Sequence, residues 1–169
     1  MWAHTLSIIR RLRKEDLATG GRAAQEIRRA IELDPNFPLS YWNLGLVLQE
    51  QGDADAAIQS FEEAVRLSRE GSFYLGGLGH AYGRAKRKEE SIGVLNKLLK
   101  LSEARYISPF DIAVVHLGLG DHDAALEWLE QAYGQRVTRL RSLRDAYFDV
   151  LRPDARFLDL MRRVGLLAD

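Results

Sequence analysis

An all-α array of antiparallel helix hairpins is the fold class this sequence predicts. Three observations carry it: apolar positions recur every 34 residues, they are spaced helically within each unit, and Gly-Asp pairs divide the units into halves. Ala23, Ala57, Ser91 and Ala125 hold one register. Ile27, Phe61, Leu95 and Leu129 hold a second, and Ala30, Ala64, Leu98 and Ala132 a third. Upstream in each unit Leu44, Leu78 and Ile112 keep the same spacing, as do Gly45, Gly79 and Ala113, then Leu48, Tyr82 and His116. A fixed period of this length marks stacked supersecondary units.

The first helix of a unit is read from Tyr41, Leu44, Gly45 and Leu48, which fall at i, i+3, i+4 and i+7. Ala57, Phe61 and Ala64 give the second helix in the same way. Gly52-Asp53 and Gly120-Asp121 separate the halves. Glycine ends one helix in a left-handed conformation and aspartate caps the next. Small residues at Gly45, Gly79 and Ala113 are expected to let paired backbones approach closely. A single hairpin cannot bury apolar residues on more than one face, so neighbours must stack into a solenoid.

Composition narrows the function. Of 169 residues, 46% are apolar and 28% charged, ordinary for a water-exposed fold, and no apolar run nears the roughly 20 residues that span a bilayer. The stretch from Met1 to Arg11 runs into the basic cluster Arg10, Arg11, Arg13 and Lys14, the reverse order of a secretory leader. Cysteine is absent, which removes disulfides, thiol nucleophiles and Cys-based zinc sites. A cytoplasmic location and no membrane partner are the resulting expectations. The 24 basic and 24 acidic residues cancel, which argues against nucleic acid as the partner. They are not evenly spread: residues 34–70 carry −5, residues 71–105 +4 and residues 106–135 −5.

Nothing in the chain reads as catalytic or metal-binding. His116 falls in an apolar register and is expected to pack. Asp121-His122-Asp123 reads as a capped helix start, and His4 and His80 lack partners at ligand spacing. Glu62-Glu63 and Glu89-Glu90 are adjacent on a helix, so their carboxylates diverge. Gly76-Gly77-x-Gly79 lies within a helical pattern rather than after a strand, so it is no phosphate loop. The expectation is a non-enzyme without cofactor or metal.

The recurring residues resemble the tetratricopeptide repeat, whose signature runs W-x2-L-G-x2-Y, then A-x3-F, then proline. Residues 38–71 carry it best, in Tyr41, Trp42, Leu44, Gly45, Ala57, Phe61 and Ala64. Residues 72–105 keep Leu78, Gly79 and Tyr82 but have Lys86-Arg87 where Gly-Asp belongs, and residues 106–135 keep Gly120-Asp121, Ala125 and Leu129. Residues 4–37 keep Ala23, Ile27, Ala30 and Pro35, with Trp2, Leu6, Ile9 and Leu12 as a degenerate first helix. The resemblance implies a right-handed superhelical solenoid over residues 1–135, closed by a helical cap over 136–169.

The tail is similar to the closing segment of bacterial repeat arrays attached to kinase, adenylyl cyclase or winged-helix domains. The likeness runs from Leu143 to Phe157 and on to Leu166, with Ala146 and Ala155 where that segment has prolines after its aspartates. Asp145 and Asp154 are expected to cap short helices. Leu151, Phe157, Leu160, Met161 and Leu166 are expected to cover the open end of the stack. The eight arginines of the tail alternate with aspartates, a pattern for local ion pairs.

The family also implies a function, a scaffold that holds a peptide or protein in a groove lined by the first helix of each unit. Carried onto this chain, the groove residues are Leu39, Trp42, Asn43, Leu46, Gln49, Phe73, His80, Arg84, Phe110, Val114 and Leu117. Trp42, Phe73 and Phe110 are expected to be anchors whose loss weakens binding rather than folding. Gly76, Gly77 and Gly83 open a notch for close approach, by a partner or by another part of the chain. The subtype that clamps a terminal carboxylate needs Lys or Arg where Phe73 and Gly77 stand, so it is disfavoured. The resemblance of the tail adds a recruiting role in a bacterial signalling protein. Self-association into a homo-oligomer is the alternative.

Overall fold

The computed structural model describes residues 21–167, and among them the helices alternate as the period requires. Helix α1 (Gly21–Leu33) is the second half of the first unit; Trp2, Leu6, Ile9 and Leu12 lie outside the described residues. Then follow α2 (Pro38–Glu50), α3 (Ala54–Leu67), α4 (Ser72–Arg84), α5 (Lys88–Ser102), α6 (Pro109–Leu119) and α7 (His122–Gly134). Two 3₁₀-helical segments, Thr138–Arg144 and Ala146–Leu151, lead to α8 (Ala155–Arg163). No helix among the described residues is long and apolar enough to cross a membrane.

Helix ends follow local chemistry. The Asp53 carboxylate accepts the Ala56 N–H at 3.1 Å and the Asp121 carboxylate accepts the Ala124 N–H at 3.2 Å. Gly52 and Gly120 close the preceding helices at φ of +84° and +76°. In the unit between them Lys86 takes the left-handed position at φ +62°, and Arg87 supplies no side-chain cap. Helix α6 begins at Pro109, later than the period predicts. Ser108 is extended (φ −66°, ψ 127°), as a residue before proline prefers, and proline is tolerated in a first helical turn. Asp154 caps α8 by accepting the Arg156 N–H at 2.8 Å. At Asp145 the closure is made by the backbone carbonyl, which accepts the Phe148 N–H at 3.0 Å, and the helix there is 3₁₀ rather than α.

Two compact units divide at Tyr74–Leu75. The first holds α1 to α3 and the first turn of α4. Ala23, Ile27, Val47, Ala57, Ile58, Phe61 and Ala64 are almost wholly buried there. The close approach expected at Gly45 is made by a ring: a Cβ at Gly45 would lie 2.6 Å from Phe61 Cε1. The space a side chain would take is thus given to Phe61.

The second unit holds the rest of α4, helices α5 to α8 and the 3₁₀ segments. Here Gly79 makes room for Val115 and Val94 side chains, while true backbone contact falls at other glycines. A Cβ on Gly76 would meet the Asp111 carbonyl oxygen at 2.7 Å. One on Gly83 would meet Gly118 C at 2.3 Å, and one on Gly118 would meet His80 Cα at 2.5 Å. The glycines of α4 therefore let it lie against α6, so of the two occupants expected at Gly76 and Gly83 it is another part of the chain that approaches. Each glycine costs about 1 kcal/mol of helix propensity against alanine, and the packing of α4 on α6 offsets it. Ser91, in an alanine register, donates its hydroxyl to the Gly79 carbonyl at 2.8 Å, so its buried oxygen is satisfied.

The second core runs from Phe110, Ala113, Val114 and Leu117 through Leu126 and Leu129 into the tail. Leu140, Leu143, Phe148, Leu151, Phe157, Leu160 and Met161 belong to the same buried cluster, with Leu166 packed at its edge. Outside it, Arg156 reaches Asp123 at 2.7 Å, and one heptad along both helices Arg163 pairs with Glu130. These pairs set α8 in register along α7, because the two arginines and the two acids are each seven residues apart.

Candidate partner-binding site

The residues expected to line a groove fall into two environments. In the first unit Trp42 is the hub. Its ring lies 5.0 Å from Phe61, 4.5 Å from Phe73 and 5.9 Å from Tyr74, the last edge-on. Phe73 and Tyr74 also meet edge to face at 4.9 Å. These spacings suit aromatic attraction, worth about 0.5–1.5 kcal/mol per pair beyond buried area. Trp42 is 9% exposed, whereas Phe73 and Tyr74 are half-buried. Burial holds the Tyr74 phenol above its ordinary pKa. Tyr74 is the residue that sequence reasoning missed; its signal was adjacency to Phe73 at the start of an otherwise glycine-rich helix.

Leu39, Asn43, Leu46 and Gln49 lie along α2 beside this cluster and are all half-buried. Asn43 donates its side-chain amide to the Leu39 carbonyl at 2.6 Å, which fixes its rotamer and leaves its oxygen to accept. Gln49 Oε1 is buried and has no donor among the described residues. The first unit thus offers an apolar face beside the amide oxygen of Asn43.

In the second unit the expected residues other than Arg84 are covered by the chain itself. His80 is 3% exposed, and the Tyr147 ring packs on it at 4.3 Å. Phe110 is 1% exposed, 5.5 Å from the Phe148 ring, with the Arg139 guanidinium 4.5 Å above its face. Asp111, 2% exposed, pairs with that same Arg139. Val114 and Leu117 are core residues, and Arg84 is exposed. Phe110 therefore cannot be lost without cost to folding, which corrects its reading as an anchor for binding alone. Desolvation, with a smaller effect of the Arg84 charge, lowers the His80 pKa to about 3, so the ring is neutral.

The tail was expected to close the end of the stack; α8 packs on α7, and its buried residues join the core of α6 and α7. That the 3₁₀ segments also cover the face of α4 and α6 was not foreseen. One signal could have shown it: Asp111 is the lone acid in the apolar helix Pro109–Leu119, and a buried charge requires a partner. The remaining charges of the site region are ordinary surface pairs, such as Arg87 with Glu90 at 2.8 Å. Among the described residues no three His, Asp or Glu side chains gather as a metal site would require.

Comparison with known proteins agrees with this architecture. A model described as TPR repeat matches residues 22–52, and two models described as tetratricopeptide repeat match residues 39–70 and 77–138. The chain is also similar to anaphase-promoting complex subunit 3 of Schizosaccharomyces pombe, at 28% identity over 110 residues. That match takes in 65% of this chain but 16% of the relative, so the chain spans a minor part of the relative's length.

Proposed function

Since three repeat models together match residues 22–70 and 77–138, this chain is a tetratricopeptide-repeat protein, and we propose that it captures its partner on the aromatic face of its first unit. The repeats make it a protein–protein interaction scaffold. The finer reading rests on one observation: Trp42 and Phe73, both at ligand-facing registers, cluster with Tyr74, and Phe73 and Tyr74 are still half-exposed beside Leu39, Asn43 and Leu46. Aromatic clusters are where interface energy concentrates. The occupant is a peptide or protein segment that offers apolar side chains to the rings and an N–H group to Asn43.

The pairing of the tail arginines supports a protein partner over nucleic acid. Arg139, Arg152, Arg156 and Arg163 of the tail are engaged with carboxylates of the same chain. A recruiting role in a bacterial signalling protein and a cytoplasmic setting belong to the same proposal; they rest on the likeness of the tail and on the absence of cysteine.

The test uses the intact chain as bait. Partners are identified by cross-linking and mass spectrometry, then titrated against wild type and against Leu39→Arg with Leu46→Arg. Loss of one hot spot worth about 2 kcal/mol weakens binding roughly 30-fold. A charged pair that leaves melting and affinity unchanged would overturn the reading. A dimer in light scattering that the same variants dissolve would replace it with self-association.

A further inference from the structure

The inner face of α4 and α6 is already filled in an ordered way. Three contacts fall on it, two of them on residues read from the sequence as ligand-facing: Tyr147 on His80, Phe148 on Phe110, and Arg139 on Asp111 beside Phe110. Each has the character of a recognition contact: ring on ring, ring on ring again, and a guanidinium on a buried carboxylate. Asp111 is the informative one. A carboxylate with 3% side-chain exposure is stable only with a cation beside it, and the cation comes from 28 residues along the chain. Arg139 satisfies it while lying over the Phe110 ring, so one guanidinium meets both an acid and an aromatic face.

The segment that supplies these contacts is built unlike the repeats. It forms two short 3₁₀ pieces, Thr138–Arg144 and Ala146–Leu151, parted at Asp145, rather than one α-helix. Such pieces have poorer hydrogen-bond geometry than an α-helix and hold a fixed course mainly through what their side chains touch. Leu140, Leu143 and Leu151 are buried and secure the segment from below.

We propose that the inner face of α4 and α6 is a binding site for a segment bearing an arginine and a Tyr-Phe pair, and that the chain fills it in cis with its own residues Arg139, Tyr147 and Phe148. This goes beyond capture of a partner by the first unit and holds whether or not that reading does. The site selects its occupant by an acid at Asp111, a neutral ring at His80 and an aromatic face at Phe110. A tethered segment acts at an effective concentration on the order of mM. A free segment of the same chemistry with an intrinsic Kd of about 10 μM then sees the site about 100-fold weakened. The second unit is thereby closed to outside peptides while the tail is seated.

The test uses the full chain and a fluorescent synthetic peptide of residues 136–153. Wild type, Arg139→Asp with Tyr147→Ser, and the reversed pair Asp111→Arg with Arg139→Asp are titrated with it. The released variant is expected to bind the peptide at least tenfold more tightly than wild type, and the reversed pair to exclude it again. Equal affinity for all three overturns the proposal. Hydrogen exchange on wild type needs no variant that folds: amides of 138–151 are expected to be protected, and exchange at the rate of the free peptide overturns it. Tail exchange between two copies, seen as a concentration-dependent dimer of wild type, also overturns the cis arrangement.

Discussion

Lys86 and Gly120 hold the same left-handed backbone position one repeat apart, at φ of +62° and +76°. For glycine this conformation is free of Cβ strain, and for lysine it costs about 1 kcal/mol or more. Lys86→Gly is therefore expected to stabilise the chain by about 1 kcal/mol. Gly120→Lys is expected to destabilise it by a similar amount, since open space around Gly120 leaves only the backbone to object. Denaturant melts of the two variants check both signs.

Glycines within helices divide by what surrounds them. Gly93, inside α5, has nothing within 4 Å of the place its Cβ would take, so Gly93→Ala is expected to stabilise by about 1 kcal/mol. Gly83→Ala would drive a methyl into the Gly118 backbone and is expected to cost about 1–3 kcal/mol. Equal effects of the two, measured by thermal melting, would contradict the contact of α4 with α6.

Phe110→Ala is expected to cost about 3–5 kcal/mol, because the ring sits fully buried in the second core. Phe73→Ala, on a half-buried ring, should cost less. Paired melts of these variants separate a core aromatic from a surface one.

His80 gives a signed pH dependence. Its folded pKa of about 3 lies below the ordinary 6.5, so below pH 6.5 the unfolded chain takes a proton that the folded chain refuses. The groups against the ring are Tyr147 and the Gly118 backbone, with Arg84 as a charged neighbour. Stability from this site is full above pH 6.5 and falls by about 1.4 kcal/mol per unit as pH drops from there toward 3. Between pH 6.5 and 5 carboxylates hardly titrate, so the loss of about 2 kcal/mol there should disappear in His80→Gln. Urea melts across that window measure it.

The parts legible in the sequence were those set by near neighbours. Asp53 and Asp121 cap the helices they precede, and Gly52 and Gly120 end the helices they follow, because each bond spans only a few residues. Spacing also placed Phe110 on a definite helix face. It could not say what covers that face, because Phe148 and Arg139 lie in a segment without period. Crowding at Gly76 and Gly83 was legible too, but glycine is equally suited to a ligand and to a neighbouring backbone. Only the course of α6 decides between them.

The buried cluster that joins Phe110 to Met161 has a consequence for the order in which the chain is made. The first unit contains its own core and can begin to fold as soon as it emerges. The α6–α7 hairpin cannot complete its core until Phe148, Phe157, Leu160 and Met161 follow. At ~5–20 residues per second, roughly 2–8 s separate synthesis of the end of α6 from that of Met161. During that interval Phe110, and Leu129 once it is made, lack the tail residues that complete their core, so this hairpin is the stretch of the nascent protein on which a chaperone would act.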